Sequence, residues 1–438
     1  MLDARPVRGF FRERRTRVEA LLIAIFALVP WVEVGGEPLL RLDVPHRRFH
    51  VFGLVIFPDE LVFLWLIVIG LALALFFFTA LAGRLWCGWA CPQTIFSDLF
   101  AGIARRIEGW HGTRAPARPS RGRKLATQLA WLALSAVIGF HLVSYFCSPR
   151  ELARDLLHAN VSGARLGFLG AAAALAYLDF GMVRQTFCKY LCPYARFQGV
   201  LFDAETLVVA YDTDRGEPRG KRGKARGDCV DCGLCVAVCP TGIDIREGLQ
   251  LECIACTQCI DACDGVMEKV GRAPRLIGYR SVAGAAARRM PLLRPRVLAY
   301  GALLLASVVS FAAAVTLRVP FDLFVAHNAA SLSATLADGR PGNAYTLRVE
   351  NRGRAPRRFE LSLDAPPGFA LLAGVNPITL EAASTQELRV FVAAPAERGT
   401  TRAQPIAFAI SDVDRPALSV RRGATFIFEQ KEERHRDD

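Results

Sequence analysis

No cysteine occurs before Cys87 or after Cys263 in this chain of 438 residues, and all thirteen lie between those two. Secreted disulfide frameworks spread cysteine through a small loop-rich domain. The distribution here excludes one and points to metal binding. No glycine-rich dinucleotide fingerprint is present, which argues against a nicotinamide site within the chain. The net charge of +13 comes from 54 Lys and Arg against 41 Asp and Glu. It arrives without a zinc-finger, helix-turn-helix or RNA-binding signature, so no nucleic acid is expected as a partner. Charge itself is missing from long stretches: Leu61 to Ala82, Leu125 to Cys147 and Val297 to Leu317 hold no Asp, Glu, Lys or Arg.

Each of those stretches is long enough to cross a hydrocarbon core of about 30 Å as a helix. A fourth, Leu166 to Val183, carries Asp179 inside it and follows Arg165. A shorter run, Ala20 to Val32, follows an arm rich in arginine (Arg5, Arg8, Arg12, Arg14, Arg15, Arg17) and ends at Pro30-Trp31 with no signal-cleavage pattern. It reads as a short first span. The expectation is an α-helical membrane protein of about five transmembrane helices.

Lys and Arg collect in the N-terminal arm, between spans two and three (Arg84, Arg105, Arg106, Arg114, Arg118, Arg121, Arg123, Lys124), and between Arg184 and Arg296. The loops after spans one and three offset theirs with Glu33, Glu37, Asp43, Glu151 and Asp155. The positive-inside bias therefore predicts a cytoplasmic N-terminus and a C-terminus across the membrane. Beyond Arg318 the pattern changes to short alternating runs, at 345–349, 359–363, 387–392 and 406–410. They are parted by turns such as Pro366-Pro367-Gly368 and Asn376-Pro377. This predicts a small, all-β antiparallel sandwich outside the membrane.

Twelve of the thirteen cysteines fall into four groups. Cys229, Cys232, Cys235 and Cys239 are spaced C-x2-C-x2-C-x3-C and precede Pro240. Cys253, Cys256, Cys259 and Cys263 repeat the spacing, with Asp264 in place of the proline. Such runs bind [4Fe–4S] clusters, three thiolates to one cluster and the fourth, beyond a turn, to its neighbour. The crossover assigns Cys229, Cys232, Cys235 and Cys263 to one cluster, and Cys253, Cys256, Cys259 and Cys239 to the other. Tetrahedral zinc is the alternative, but it is usually held by two C-x2-C hooks separated by a longer loop. Small residues beside the thiols (Gly233, Ala237, Ala255, Ala262) suit close approach of backbone amides.

Two further pairs share an aromatic-Cys-x-aromatic-x-Cys-Pro pattern: Trp86 to Pro92, containing Cys87 and Cys91, and Phe187 to Pro193, containing Cys188 and Cys192. Each ends a pair of spans, and each has an aromatic five residues past its second cysteine (Phe96, Phe197). The membrane part therefore reads as an internal duplication. With i, i+4 spacing each pair is expected on one helical face. Four such thiols suit a soft ion such as Cu(I) or a dithiol relay; packing of small buried residues at helix ends is the plainer alternative. His141 and Asp179 are ionisable groups inside spans, and ordinary hydrogen-bonded packing explains them equally well. His46 and His50 form a weak metal-site candidate in an outer loop. Ile95 to Trp110 has helical period and reads as an amphipathic helix in the interface. Cys147 is left without a role.

Trp-Cys-Gly-Trp-Ala-Cys-Pro-Gln-Thr at 86–94, Cys-Lys-Tyr-Leu-Cys-Pro-Tyr-Ala-Arg-Phe-Gln at 188–198 and the cluster motifs ending Cys-Ile-Asp-Ala-Cys-Asp at 259–264 resemble the cytochrome c oxidase accessory proteins of the CcoG/FixG/RdxA type. Paired CxxxCP motifs with tandem clusters also occur in related membrane polyferredoxins. The resemblance covers essentially the whole chain. It implies a multi-pass protein of the bacterial inner membrane with a membrane domain at 1–200, an inserted two-cluster ferredoxin-like domain at 201–290, a fifth span at 291–320 and a periplasmic Ig-like domain at 321–438. It further implies two [4Fe–4S] clusters on the cytoplasmic side, and reduction of Cu(II) to Cu(I) for assembly of a cbb-type haem–copper oxidase. Cys87, Cys91, Cys188 and Cys192 would hold the copper or relay the electron. Expected partners are a cytoplasmic or quinol electron donor and copper-handling or oxidase-assembly proteins, with a homo-oligomer as a further expectation. Two other roles compete: an electron-transfer subunit for another respiratory enzyme, and an assembly scaffold docking partners through the β-domain.

Overall fold

A computed structural model describes residues 4–34, 36–45, 47–110, 119–220, 227–282, 293–327, 334–336, 340–395 and 403–428. His46, Arg114, Arg118 and the expected boundary at 290/291 lie outside the described residues. The chain divides into two compact units, Met1–Ala312 and Ala313–Asp438.

Among the described residues of the first unit and its last helix, four helices are long and apolar enough to cross a membrane: Leu61–Ala82, Arg121–Val143, Gly163–Val183 and Pro295–Thr316. The first of these turns most of its surface outward, as side chains facing lipid must. Small residues set the contact between the second and third, where Gly139 lies against the Ala173 backbone. The first and fourth meet through the Phe63 and Phe311 rings and through Ser307, whose hydroxyl donates to the Leu66 carbonyl at 3.4 Å.

The expected first span takes a different form. Ala20 onward is the apolar half of a longer helix, Phe10–Leu28, capped by the turn Val29–Trp31. Its first half carries Arg12, Glu13, Arg14, Arg15 and Arg17, so the apolar part alone falls short of the other four. The charged half is tied down by protein. Arg12 and Arg15 pair with Asp98, and Arg15 pairs with Glu19 at 2.9 Å.

That pairing also corrects the reading of 95–110. The segment belongs to the helix Pro92–Glu108, and Phe96, Phe100 and Ala104 are buried against Trp131, Ile138 and Ala176. Other helices cover its apolar face, so that face meets protein and not lipid. The Trp131 indole N–H donates to the Phe100 carbonyl at 3.0 Å.

The outer loop after the first helix holds a three-stranded antiparallel sheet, Leu40–Asp43, Arg48–Val51 and Leu54–Ile56. His50 is buried in its middle strand. Between the fourth expected span and the last one, Leu207–Tyr211 pairs antiparallel with Ile277–Ser281. These two strands bracket a small domain whose core is Val209, Ile243, Ile260, Met267 and Ile277 around the cysteines.

The second unit is a pair of antiparallel sheets. One runs in the order 370–372, 385–393, 341–351, 321–327, with 334–335 paired to 341–342; the other runs 378–380, 357–364, 403–412, 415–427. Inward-facing Leu323, Leu347, Val390, Phe359, Phe408 and Phe426 fill the space between them. The alternating runs read from the sequence all lie on these strands, because period 2 places every second side chain on the buried face.

Candidate metal centres

The ferredoxin-like domain encloses two small cavities. One is lined by Cys229, Cys232, Cys235 and Cys263; the other by Cys239, Cys253, Cys256 and Cys259, with Cys235 at their shared wall. Each motif therefore sends its last thiol to the other motif's cavity. Apolar side chains complete the walls: Met267, Leu276 and Ile277 in the first, Val209, Ile243 and Ile254 in the second.

The backbone around the two cavities is a repeat. Asp231 and Gly233 flank Cys232 at φ of 50° and 66°; Ala255 and Thr257 flank Cys256 at 52° and 63°. Left-handed residues on both sides of a thiol make successive N–H groups converge, as in an anion-binding nest. Composition pointed only to Gly233 and Ala255 here. Asp231 and Thr257 were missed, because neither residue type announces a positive φ.

The motifs differ after the fourth cysteine, and this corrects one detail of the spacing argument. Cys239 lies past the short helix Leu234–Ala237 and is followed by Pro240, so its thiol is reached across a turn. Cys263 instead sits within a continuous helix, Gln258–Lys269. There a proline would remove a helical hydrogen bond and clash with the preceding turn. Asp264 replaces it and accepts the Arg275 N–H at 2.6 Å.

A [4Fe–4S] cluster fits this donor set. Four thiols surround a void in each case, whereas one zinc ion would draw all its sulfurs to about 2.3 Å. Among the described residues no three His, Cys, Asp or Glu side chains converge on a point where a single ion could sit. Burial pushes the thiols up, Cys235 and Cys253 to about 11 and Cys256 and Cys263 to about 12. Left alone they are neutral. As ligands of a cluster they would be held as thiolates, their protons given up on binding.

The CxxxCP pairs also repeat in three dimensions. Gly83 at φ 57° and ψ −123°, and Arg184 at φ 53° and ψ −134°, each stop a span four residues before the first thiol. One helical turn follows in each case, Leu85–Trp89 and Phe187–Leu191, the second of them π-helical. Cys91 N–H then donates to Trp86 O at 2.9 Å, and Cys192 N–H to Phe187 O at 2.8 Å. The second thiol of each pair is not on the helical face of the first. Proline forces the preceding residue into an extended conformation and starts the next helix. Cys91 and Cys192 consequently stand as N-caps of Pro92–Glu108 and Pro193–Leu201. The aromatics past each pair part company: Phe96 is buried and Phe197 is exposed.

All four thiols are close enough to influence one another. Burial pushes Cys87 up to about 11 and Cys188 to about 12, with neighbouring thiols adding to the effect. Cys87 is held by the fully buried Gln198, donating to Oε1 at 3.6 Å. Gln93, two residues past Cys91, donates to Asp179 Oδ1 at 3.1 Å and to Arg184 O at 2.9 Å. The His141 ring, through Nδ1, is bonded to the Val137 carbonyl one helical turn before it, at 2.9 Å. Cys147, whose thiol donates to Val143 O at 3.6 Å, stands apart from the other twelve.

The first thiol pair is built against the second cluster loop. A Cβ on Gly88 would lie 2.5 Å from the Ala255 carbonyl oxygen and 2.7 Å from that of Ile254. Arg84, buried, donates to the carbonyls of Leu251 and Cys253 with one nitrogen and to Ala195 with the other. Its charge also lies near Cys87 and Cys192. A single guanidinium thus ties both thiol motifs to the cluster loop. On the opposite side, the Asp261 carboxylate, between Cys259 and Cys263, accepts the Phe11 N–H at 3.2 Å and the Arg12 N–H at 2.7 Å. Neither Arg84 nor Asp261 stood out in the sequence, since nothing local marks a long-range contact.

Three family profiles match the chain: a 4Fe-4S dicluster domain at residues 183–282, a 4Fe-4S binding domain at 62–111, and the Ig-like fold at the C-terminus of FixG at 311–429. Protein RdxA of Cereibacter sphaeroides is 37% identical, with 89% of this chain and 88% of that protein covered. Protein RdxB of the same organism is 36% identical over 91% and 89%. Nitrogen fixation protein FixG of Rhizobium meliloti is 31% identical over 89% and 86%.

Proposed function

The chain belongs to the family of RdxA, RdxB and FixG, an iron–sulfur electron-transfer protein of the membrane, and from that premise we propose that it reduces Cu(II) to Cu(I) at the membrane thiols for assembly of a cbb-type haem–copper oxidase. Cys229, Cys232, Cys235 and Cys263 would hold one [4Fe–4S] cluster, and Cys253, Cys256, Cys259 and Cys239 the other. Such clusters supply single electrons at a potential set by charge, hydrogen bonds and exposure around the sulfurs.

The observation that carries the reading is the contact of Gly88 with Ile254 and Ala255. It puts the loop between Cys253 and Cys256 in van der Waals contact with the turn between Cys87 and Cys91. Cu(II) as substrate takes one electron and becomes Cu(I), which prefers thiolate ligands. Cys87, Cys91, Cys188 and Cys192 would hold the copper or relay the electron to it, and Arg84 offsets the charge of thiolates formed beside it. The gain of one electron by each copper ion balances the loss of one by the protein.

The topology that accompanies this reading counts the helix Phe10–Leu28 as a fifth crossing; it has the N-terminus and the domain at 201–290 in the cytoplasm of a bacterial inner membrane, the domain at 321–438 in the periplasm, and copper-handling or oxidase-assembly proteins as partners. The test is anaerobic titration of dithionite-reduced protein with Cu(II). One Cu(I) per electron lost, slowed by Cys87→Ala or Cys188→Ala with iron content unchanged, supports it. Copper reduction no faster than by a free ferredoxin overturns it.

A further inference from the structure

Beside the thiol pairs lies a large apolar cavity of about 870 Å³, within the range of pockets that hold small molecules. Its walls come from the N-terminal helix, the helix Pro92–Glu108 and the spans Arg121–Val143 and Gly163–Val183, with Phe26, Ile95, Leu142 and Leu175 among them. One end meets the thiol motifs through their immediate chain neighbours: Ala90 and Pro92 on either side of Cys91, Phe187 before Cys188, and Leu191 before Cys192. At that end the lining includes one carboxylate, Asp179. It sits within the π-helical stretch Tyr177–Val183 that finishes the span Gly163–Val183. Leu178, Phe180 and Val183 of the same stretch also face the cavity. π-Helical turns concentrate at functional sites, and an ionisable group at membrane depth carries a cost that function ordinarily explains.

We propose that this cavity binds a lipophilic quinol, with the ring at the Asp179 end and the isoprenoid tail among the leucines that open toward lipid. The choice of occupant follows from the chemistry of that end. Gln93 is already spent on Asp179 Oδ1 and the Arg184 carbonyl, which leaves the carboxylate as an acceptor. A quinol presents hydroxyl donors to it; an oxidised quinone presents carbonyl oxygens, which a carboxylate repels. A phospholipid acyl chain would fill the apolar part and leave Asp179 without a partner from the ligand. The proposal draws on the electron-transfer reading in one respect, the choice of a redox-active occupant.

The experiment uses the full chain with its clusters, in detergent, and the probe decylubiquinol under anaerobic conditions. One decylubiquinol per chain is expected, with decylubiquinone bound at least about tenfold more weakly and Asp179→Asn weakening the quinol about tenfold, the scale of a hydrogen bond to a charged group. Leu178→Trp and Leu175→Trp, at outward-facing positions of the wall, should each abolish binding while iron content and cluster absorbance stay unchanged. Equal affinity for quinol and quinone, or binding unaltered in both tryptophan variants, overturns the proposal. So does copurified phospholipid that decylubiquinol fails to displace. Copper-dependent reoxidation of dithionite-reduced Leu178→Trp reports separately on the copper reading, so either can fail alone.

Discussion

Gly88 approaches Ala255 so closely that a Cβ at position 88 would stand 2.5 Å from the Ala255 carbonyl oxygen. A thiol motif at a membrane edge and a cluster loop nearly 170 residues later in the chain are thereby in backbone contact.

Gly88→Ala should force that loop away, at a cost of roughly 1–3 kcal/mol for overpacking. The expected result is a changed EPR signal from the cluster of Cys253, Cys256 and Cys259, an unchanged one from the other cluster, and slower reoxidation by copper. A variant indistinguishable from wild type in both would remove the contact from the electron path.

Arg84→Gln withdraws a charge and three backbone hydrogen bonds. Each such bond from a charged group contributes about 1.5–3 kcal/mol, so thermal stability should fall. The potential of the cluster next to Cys253 should fall too, since a nearby cation favours the reduced form. Arg84→Lys should rescue little, because an ammonium cannot reproduce the fork. Redox titration of the three proteins decides the matter.

Asp264→Pro, which would make the second motif match the first, should be damaging. The position lies inside the helix Gln258–Lys269, where proline costs about 3 kcal/mol or more. Iron analysis should show loss of iron from the cavity that Cys263 lines, while Asp264→Ala keeps it.

Copper retention should depend on pH. Burial holds Cys87 and Cys188 protonated at neutral pH, at about 11 and 12. A bound Cu(I) must displace those protons, so affinity rises with pH, by about tenfold per unit for each proton released. Competition against a Cu(I) chelator at pH 6, 7 and 8 measures the slope, and a flat profile would rule these thiols out as ligands.

Asp261→Ala should loosen the N-terminal helix by about 1 kcal/mol, the usual value of a lost cap. Faster tryptic cleavage among Arg12, Arg14 and Arg15 is the expected sign, and unchanged cleavage would count against the latch.

Much of this was legible in the chain itself. Periodicity and missing charge located four spans, because lipid accepts only uninterrupted apolar helices. The period-2 runs after Arg318 located the β-sandwich for the equally local reason that a pleat alternates its faces. Local logic also explains the errors. The i, i+4 spacing of Cys87 and Cys91 suggested a shared helical face, yet the helix ends at Trp89 and Pro92 holds Cys91 extended as the cap of the next one. The amphipathic period of 95–110 was real, but period alone does not say whether lipid or protein covers the apolar face; the packing of Phe96, Phe100 and Ala104 on Trp131, Ile138 and Ala176 shows that protein does.

By itself the sequence determined the spans, the sheet-forming runs and the two cysteine runs whose thiols line the cavities, since each depends on residues a few positions apart. Only the tertiary structure decided that Arg84 and Gly88 join the membrane motifs to the loop of Cys253, and that Asp261 anchors the N-terminal helix. Those contacts span tens to hundreds of residues of chain. They rest on carbonyl oxygens, left-handed backbone and the absence of a side chain, none of which leaves a periodic trace.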